Sequence, residues 1–136
     1  MRKITEIVVH CSATETGSAA SIRRYHMQHN GWLDIGYHYV INLDGRVENG
    51  RKLSTPGAHC PEVNKTSIGI CLIGIDEFTE AQEENLRLLI NDLQEQYGPL
   101  EVYGHREFKS AQKQGKTCPS DQIMDFLSKN YGEAAL

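Results

Sequence analysis

The spacing of apolar and polar positions predicts several short strands. Residues 4–11 are dense in β-branched side chains, and residues 67–74 form a second, continuously apolar run. Runs of this length and composition are typical of central strands that are covered on both faces of a sheet. A further short strand is predicted at residues 100–103, directly before Gly104 and His105.

Residues 36–48 predict a β-hairpin, because apolar and polar positions alternate on both sides of an Asp-Gly turn. The alternation places Tyr37 on the same face as Tyr39 and Ile41. Since a hairpin is antiparallel, a sheet that contains it together with the other strands is mixed.

Three segments have helical periodicity. Residues 18–29 end at an Asn-Gly pair, which is a helix C-terminal signal, and residues 79–97 begin with the capping box Thr79 to Gln82. Residues 120–131 also repeat apolar positions at helical spacing. Helices between strands predict an α/β fold in which a mixed central sheet is flanked by helices on both faces.

Two segments lack any sustained period and are predicted to be loops. Residues 49–66 contain two glycines and two prolines and indicate a long surface loop, and the stretch from Arg106 to Pro119 is interpreted as a second loop. No repeat or linker divides the 136 residues, so residues 1–136 are predicted to form a single domain.

The composition and net charge of the chain argue against some classes of binding partner. A formal net charge of −4 gives no reason to expect nucleic-acid binding, and no apolar run is long enough for membrane insertion. The apolar N-terminal run is too short for a signal peptide, so synthesis in the cytoplasm without an export signal is expected. The four cysteines form no Cys-x-x-Cys pair, and we expect free thiols, one of which is a possible metal ligand. Cys11, Cys60 and Cys71 are interpreted as small apolar side chains of the core.

His10, His105 and Cys118 form a candidate zinc site. Both histidines follow predicted strands, and side chains at strand ends can converge above one edge of a sheet. A site with three protein ligands leaves one zinc coordination position open, as in catalytic sites. From spacing alone, the alternative that each histidine is only a strand-end residue stays equally open.

The sequences of several segments resemble those of the type 2 N-acetylmuramoyl-L-alanine amidases, a family that includes phage lysozyme-type zinc amidases and the peptidoglycan recognition proteins. The matching blocks occur in the family's order and span roughly residues 4–130. They are IVVHCSAT (7–14), GYHYVI (36–41), GAH (57–59), NKTSIGICLIG (64–74), FTEAQ (78–82), GHRE (104–107) and KTCPS (116–120).

The resemblance implies one zinc ion held by His10, His105 and Cys118. Family members that only recognise peptidoglycan typically lack the cysteine, so Cys118 favours catalysis. The resemblance further implies that Tyr37 and Lys116 assist the chemistry. Our hypothesis is that Tyr37 hydrogen-bonds the zinc-bound water and helps to move its proton, and that Lys116 stabilises the negative charge that develops on the carbonyl oxygen.

His59 and Asn64 stand where family members line the substrate groove, and they are predicted to bind substrate. Trp32, before the GYHYVI block, is interpreted as a packing residue, with sugar stacking as the alternative.

The implied function is zinc-dependent hydrolysis of the amide bond between N-acetylmuramic acid and L-alanine in peptidoglycan or muropeptide fragments. The expected protein is a monomer that reaches the cell wall after release, as a phage or prophage product or as a bacterial enzyme. Two alternatives remain: a catalytically inactive peptidoglycan-binding module of the same fold, and a protein whose metal is structural and whose task is to bind a protein partner.

Overall fold

The computed structural model describes residues 2–132, and a five-stranded sheet forms its centre. The strand order is β3-β2-β4-β1-β5; β2 and β3 are antiparallel, and all other neighbours are parallel. The predicted mixed sheet is therefore confirmed. Its strands are β1 (Glu6–Cys11), β2 (Tyr39–Ile41), β3 (Val47–Asn49), β4 (Ser67–Leu72) and β5 (Glu101–Gly104).

The helices are α1 (Ala19–His29), α2 (Glu80–Tyr97), α3 (Lys109–Lys113) and α4 (Asp121–Tyr131). Capping boxes begin α1 and α2, where the side chains of Ser18 and Thr79 accept hydrogen bonds from backbone N–H groups. In the part of the chain that is described, no helix has the length and apolar character that crossing a membrane requires.

The prediction that the stretch from Arg106 to Pro119 is a loop is wrong. A 3-10 turn at His105–Glu107 and the short helix α3 occupy about half of it. Helix α3 has only five residues and buries only Ala111, so the sequence carries no amphipathic period that would reveal it.

Helices cover both faces of the sheet, as predicted. On one face, side chains that include Val9 and Ile70 pack against α2 and α4 through residues such as Leu86 and Ile123. On the other face, Val40 and Cys71 pack with the first turns of α1. The predicted face of Tyr37 is wrong: Tyr37 packs with the Val40 cluster, opposite Ile41, because regular strand pairing begins only at Tyr39.

The irregular segment between β3 and β4 is only partly a surface loop, which corrects the prediction. The segment contains three buried residues: Gly57, His59 and Cys60. Burial is tolerated because the backbone donors are paired: the Asn64 Oδ1 atom accepts hydrogen bonds from the N–H groups of His59 and Cys60. The segment thus carries His59 onto the sheet face.

Candidate metal and active site

Three side chains with metal-binding atoms meet at one edge of the sheet. His10 lies near the end of β1, and His105 follows β5, the parallel neighbour of β1. Because Val9 pairs with Gly104, the two histidines leave the sheet at the same level, and their ring centroids are 4.3 Å apart. Cys118 arrives from the segment before α4, and one donor atom from each of the three residues lies within 4.8 Å of the others.

The spacing of these donors fits a tetrahedral zinc ion. The Sγ atom of Cys118 lies 3.6 Å from Nδ1 of His105. Zn–N and Zn–S bonds of about 2.0 and 2.3 Å that meet at a tetrahedral angle place the two donor atoms roughly 3.5 Å apart. Within residues 2–132, no fourth His, Cys, Asp or Glu donor joins this group. The donor set can therefore hold zinc with one coordination position left open.

Burial and hydrogen bonding favour the protonation states that bind a metal. Burial lowers the pKa of His10 to about 4, so its imidazole is neutral at pH 7. Hydrogen bonds, foremost from Cys11 and also from His10 and His105, lower the pKa of the Cys118 thiol. The same contact with Cys118, together with burial, raises the pKa of Cys11. Neutral imidazole and thiolate are the forms that coordinate zinc.

A cavity of about 1040 Å³ opens beside the donor group. Its size is close to the upper limit, about 1,000 Å³, of pockets that bind small molecules. All four residues that the sequence proposed for chemistry or binding line it, together with two residues of the donor group: Tyr37, His59, Asn64, Lys116, His105 and Cys118.

Tyr37 lies against His10 of the donor group. It is half-buried, and its ring centroid is 5.0 Å from that of His10. Burial raises the pKa of Tyr37 well above its usual value of 10, so the hydroxyl keeps its proton near neutral pH. A neutral phenol can both donate and accept a hydrogen bond, and one such bond joins Tyr37 to the Cys71 side chain.

Lys116 is far from Tyr37 in the sequence but lines the same cavity. It is exposed, and its backbone N–H donates to the carbonyl of Ala111 across 2.9 Å. This bond folds the end of α3 back, so the stretch that precedes Cys118 borders the cavity.

His59 contacts the donor group directly. Its Nδ1 lies 2.8 Å from Nε2 of His10, and its Nε2 lies 3.1 Å from Oγ of Ser67. The side chain of Asn64 holds the backbone at His59, as described above. Sequence reasoning missed Ser67, although its place at the start of a buried strand in the NKTSIGI block marks it as a polar group that needs a partner.

Trp32 lies at the cavity wall and also packs. It is half-buried, and its ring lies edge-on to His26 with centroids 4.8 Å apart. His26 in turn accepts a hydrogen bond at Nδ1 from the N–H of Gly36. Packing and sugar stacking are therefore compatible roles for Trp32, because the residue contacts His26 and also lines the cavity.

Comparison with known proteins identifies relatives of the whole chain. A family model described as N-acetylmuramoyl-L-alanine amidase matches residues 1–121. The endolysin of Klebsiella phage KP32 is 37% identical over 139 residues, covering 95% of this chain and 89% of the endolysin.

Solved structures show the same fold. The N-acetylmuramoyl-L-alanine amidase LysC from Clostridium intestinale URNW has a TM-score of 0.83 and 26% identity, covering 94% of this chain and 85% of LysC. A complex of tracheal cytotoxin with the ectodomains of peptidoglycan recognition proteins LCa and LCx also has a TM-score of 0.83 and 26% identity, with 95% of this chain and 83% of that chain covered.

Proposed function

The chain belongs to the N-acetylmuramoyl-L-alanine amidase family, and from this premise we propose how its residues carry out the reaction. Its activity is hydrolysis of the amide bond between N-acetylmuramic acid and L-alanine in peptidoglycan. The observation that carries the proposal is the cluster of two imidazoles and one thiol beside the large cavity.

We propose that His10, His105 and Cys118 hold one zinc ion. The support is the fit of the 3.6 Å separation between Cys118 Sγ and His105 Nδ1 to a shared tetrahedral centre, together with the lowered pKa values of His10 and Cys118. Bound zinc supplies Lewis-acid chemistry, since it polarises a carbonyl group and lowers the pKa of water.

Tyr37 is proposed to orient the attacking water and to help move its proton. Its contact with the His10 ring and its place in the cavity wall support this role. Because the hydroxyl stays protonated, it can accept a hydrogen bond from the water and donate one to the departing amine.

Lys116 is proposed to stabilise the negative charge that develops on the carbonyl oxygen. An ammonium group aimed at the site where charge appears in the transition state lowers the barrier more than it stabilises the neutral substrate. The exposed Lys116 side chain borders the cavity and has no salt-bridge partner among the described residues, so it is free to reach a bound substrate.

The binding partner is peptidoglycan or a muropeptide fragment. His59 and Asn64 line the cavity, and a contact of either with substrate stays a prediction. We further propose that residues 1–136 act as a single catalytic domain and as a monomer, without binding nucleic acid. The phage endolysin relatives support a product that is made in the cytoplasm and acts on the cell wall after release.

The direct test is release of stem peptides from purified cell walls, measured with metal analysis of the same sample. We expect one zinc per chain, loss of hydrolysis on chelation and recovery on adding zinc. Binding to cell walls without release of peptides would instead favour the inactive peptidoglycan-binding module. The presence of Cys118 among the donor residues argues for the enzyme. A metal that changes the melting temperature but creates no hydrolysis would favour the structural alternative.

A further inference from the structure

A chain of three buried polar side chains leads away from the metal-binding group. His10 Nε2 lies 2.8 Å from His59 Nδ1, and His59 Nε2 lies 3.1 Å from Ser67 Oγ. The exposed fractions of His10, His59 and Ser67 are 1%, 9% and 0%. A buried polar group without a hydrogen-bond partner lowers the stability of the fold. Each contact in this chain therefore supplies a partner to a group that water can hardly reach.

Once His10 binds a metal, the hydrogen bonds that link these three side chains can run in only one direction, from His10 to Ser67. Because Nε2 of His10 faces His59, Nδ1 is the atom left for the metal. A neutral, metal-bound imidazole then carries its proton on Nε2, which donates to Nδ1 of His59. His59 must in turn carry its proton on Nε2, from which it donates to Ser67 Oγ. The N–H groups of His10 and His59 therefore each meet an acceptor.

Two glycines create the space that the His59 ring occupies. A Cβ atom at Gly57 would lie 2.6 Å from Cδ2 of His59, and one at Gly69 would lie 2.7 to 2.8 Å from three atoms of the ring. Neither glycine has a positive φ, so close approach excludes a side chain there: by the ring at Gly69, and by the ring together with the Gly36 carbonyl oxygen at Gly57. The ring is thus held between two backbone segments.

We propose that His59 is a positioning residue that orients the metal ligand His10 and fixes its tautomer. The inference rests on the zinc ligation proposed above. His59 acts through His10 and does not touch the metal. Both of its ring nitrogens are already paired within the protein, so the predicted contact of His59 with substrate would have to use the carbon atoms of the ring. Asn64 supports the arrangement, because it anchors the backbone N–H of His59 across 2.9 Å.

Paired variants at position 59 separate this role from simple filling of space. The amide of Asn occupies the place of Nδ1, whereas the longer Gln reaches the place of Nε2. We expect His59→Asn to keep the acceptor for His10 and to bind zinc within about threefold of the unchanged protein. His59→Gln should weaken zinc binding by roughly 10- to 100-fold, as is typical when an outer partner of a metal ligand is lost.

A matched control is His38→Gln, since His38 is another buried histidine that lies near His59 but has no contact with His10. We expect its zinc affinity to stay unchanged. The measurement is competition with a chromogenic chelator on the full chain, with the absorption bands of the cobalt-substituted protein as a second readout of ligand geometry.

The proposal is overturned if Gln at position 59 binds zinc as well as Asn does, which would indicate a space-filling role. It is equally overturned if zinc affinity is unchanged and only KM rises, which would make His59 a substrate contact. The zinc-affinity measurements need no hydrolysis, so a protein that binds zinc but does not cut cell walls would refute the proposed function and leave the inference standing.

The unchanged protein provides a test that does not depend on variants folding. In the zinc-loaded form, long-range proton–nitrogen correlation spectra report which ring nitrogens carry protons. We expect a proton on Nε2 of both His10 and His59, and a bare Nδ1 on His59. A proton on Nδ1 of His59 would overturn the inference.

Discussion

The backbone N–H of Arg106 donates a hydrogen bond of 2.8 Å to the carbonyl of Cys118. This bond closes the segment that separates two of the proposed zinc ligands and brings Cys118 Sγ to 3.6 Å from Nδ1 of His105. The donor group therefore exists only in the folded chain, and a metal that binds it must stabilise the fold.

Replacing Cys118 with Ser should remove zinc and activity together. The hydroxyl is a poorer zinc ligand than the thiolate, so we expect a loss of affinity beyond the roughly 10- to 100-fold that follows loss of an outer partner. Zinc content per chain and cell-wall hydrolysis are the measurements. The control is Cys60→Ser, because Cys60 is buried but lies outside the donor group. A Cys118→Ser protein with full zinc content would contradict the ligand assignment.

Replacing Lys116 with Ala should lower kcat by roughly 10²- to 10³-fold, the range seen when one donor to an oxyanion is removed. Zinc content should not change, since Lys116 is not a ligand. Lys113→Ala is the matched control: Lys113 is an exposed lysine at the end of α3 that does not line the cavity. Near-normal turnover in Lys116→Ala would exclude this residue from the mechanism.

Replacing Tyr37 with Phe should reduce kcat by roughly 10²- to 10⁴-fold, the usual contribution of a positioned acid–base group. The ring and its contact with His10 are kept, so zinc should remain bound. Tyr39→Phe is the control, because Tyr39 is also a half-buried tyrosine but faces the α2 side of the sheet. If both variants lose the same activity, the Tyr37 hydroxyl has no special role.

The sequence predicted the parts of the site that lie on regular structure. β-Branched runs identify β1 and β4, and parallel strands end at a common edge, so His10 and His105 could be expected to meet there. Cys118 was harder to place. Its position depends on the 3-10 turn and on α3, which are too short to leave a periodic pattern.

The sequence identifies His59 as a candidate site residue, but it does not predict the contact of His59 with His10. The segment between β3 and β4 has no period, so nothing in its pattern indicates that the ring of His59 turns inward toward His10. The most informative local features were the glycines at positions 57 and 69, which permit close backbone approach. Without coordinates, a glycine in a loop and one in a strand do not reveal that they bracket the same ring.

His38 should make the metal-free protein sensitive to acid. Burial lowers the pKa of His38 to about 4, and the charges of Arg2 and Arg51 act in the same direction. The neutral ring accepts a hydrogen bond at Nδ1 from the N–H of Gly69 and donates from Nε2 to the carbonyl of Thr55. A proton added to Nδ1 would break the first of these bonds.

The folded pKa of His38 lies below the unfolded value of about 6.5, so the unfolded chain binds more protons between about pH 6.5 and pH 4. The free energy of unfolding must therefore fall as the pH falls through this window, by up to about 1.4 kcal/mol per pH unit for each such histidine. In the metal-free protein, His10 and His59 add to the slope, because burial lowers their pKa values too. Urea unfolding of the metal-free protein at several pH values should give a shallower slope for His38→Gln than for the unchanged chain. Equal slopes would mean that His38 is protonated in the folded protein as readily as in the unfolded one.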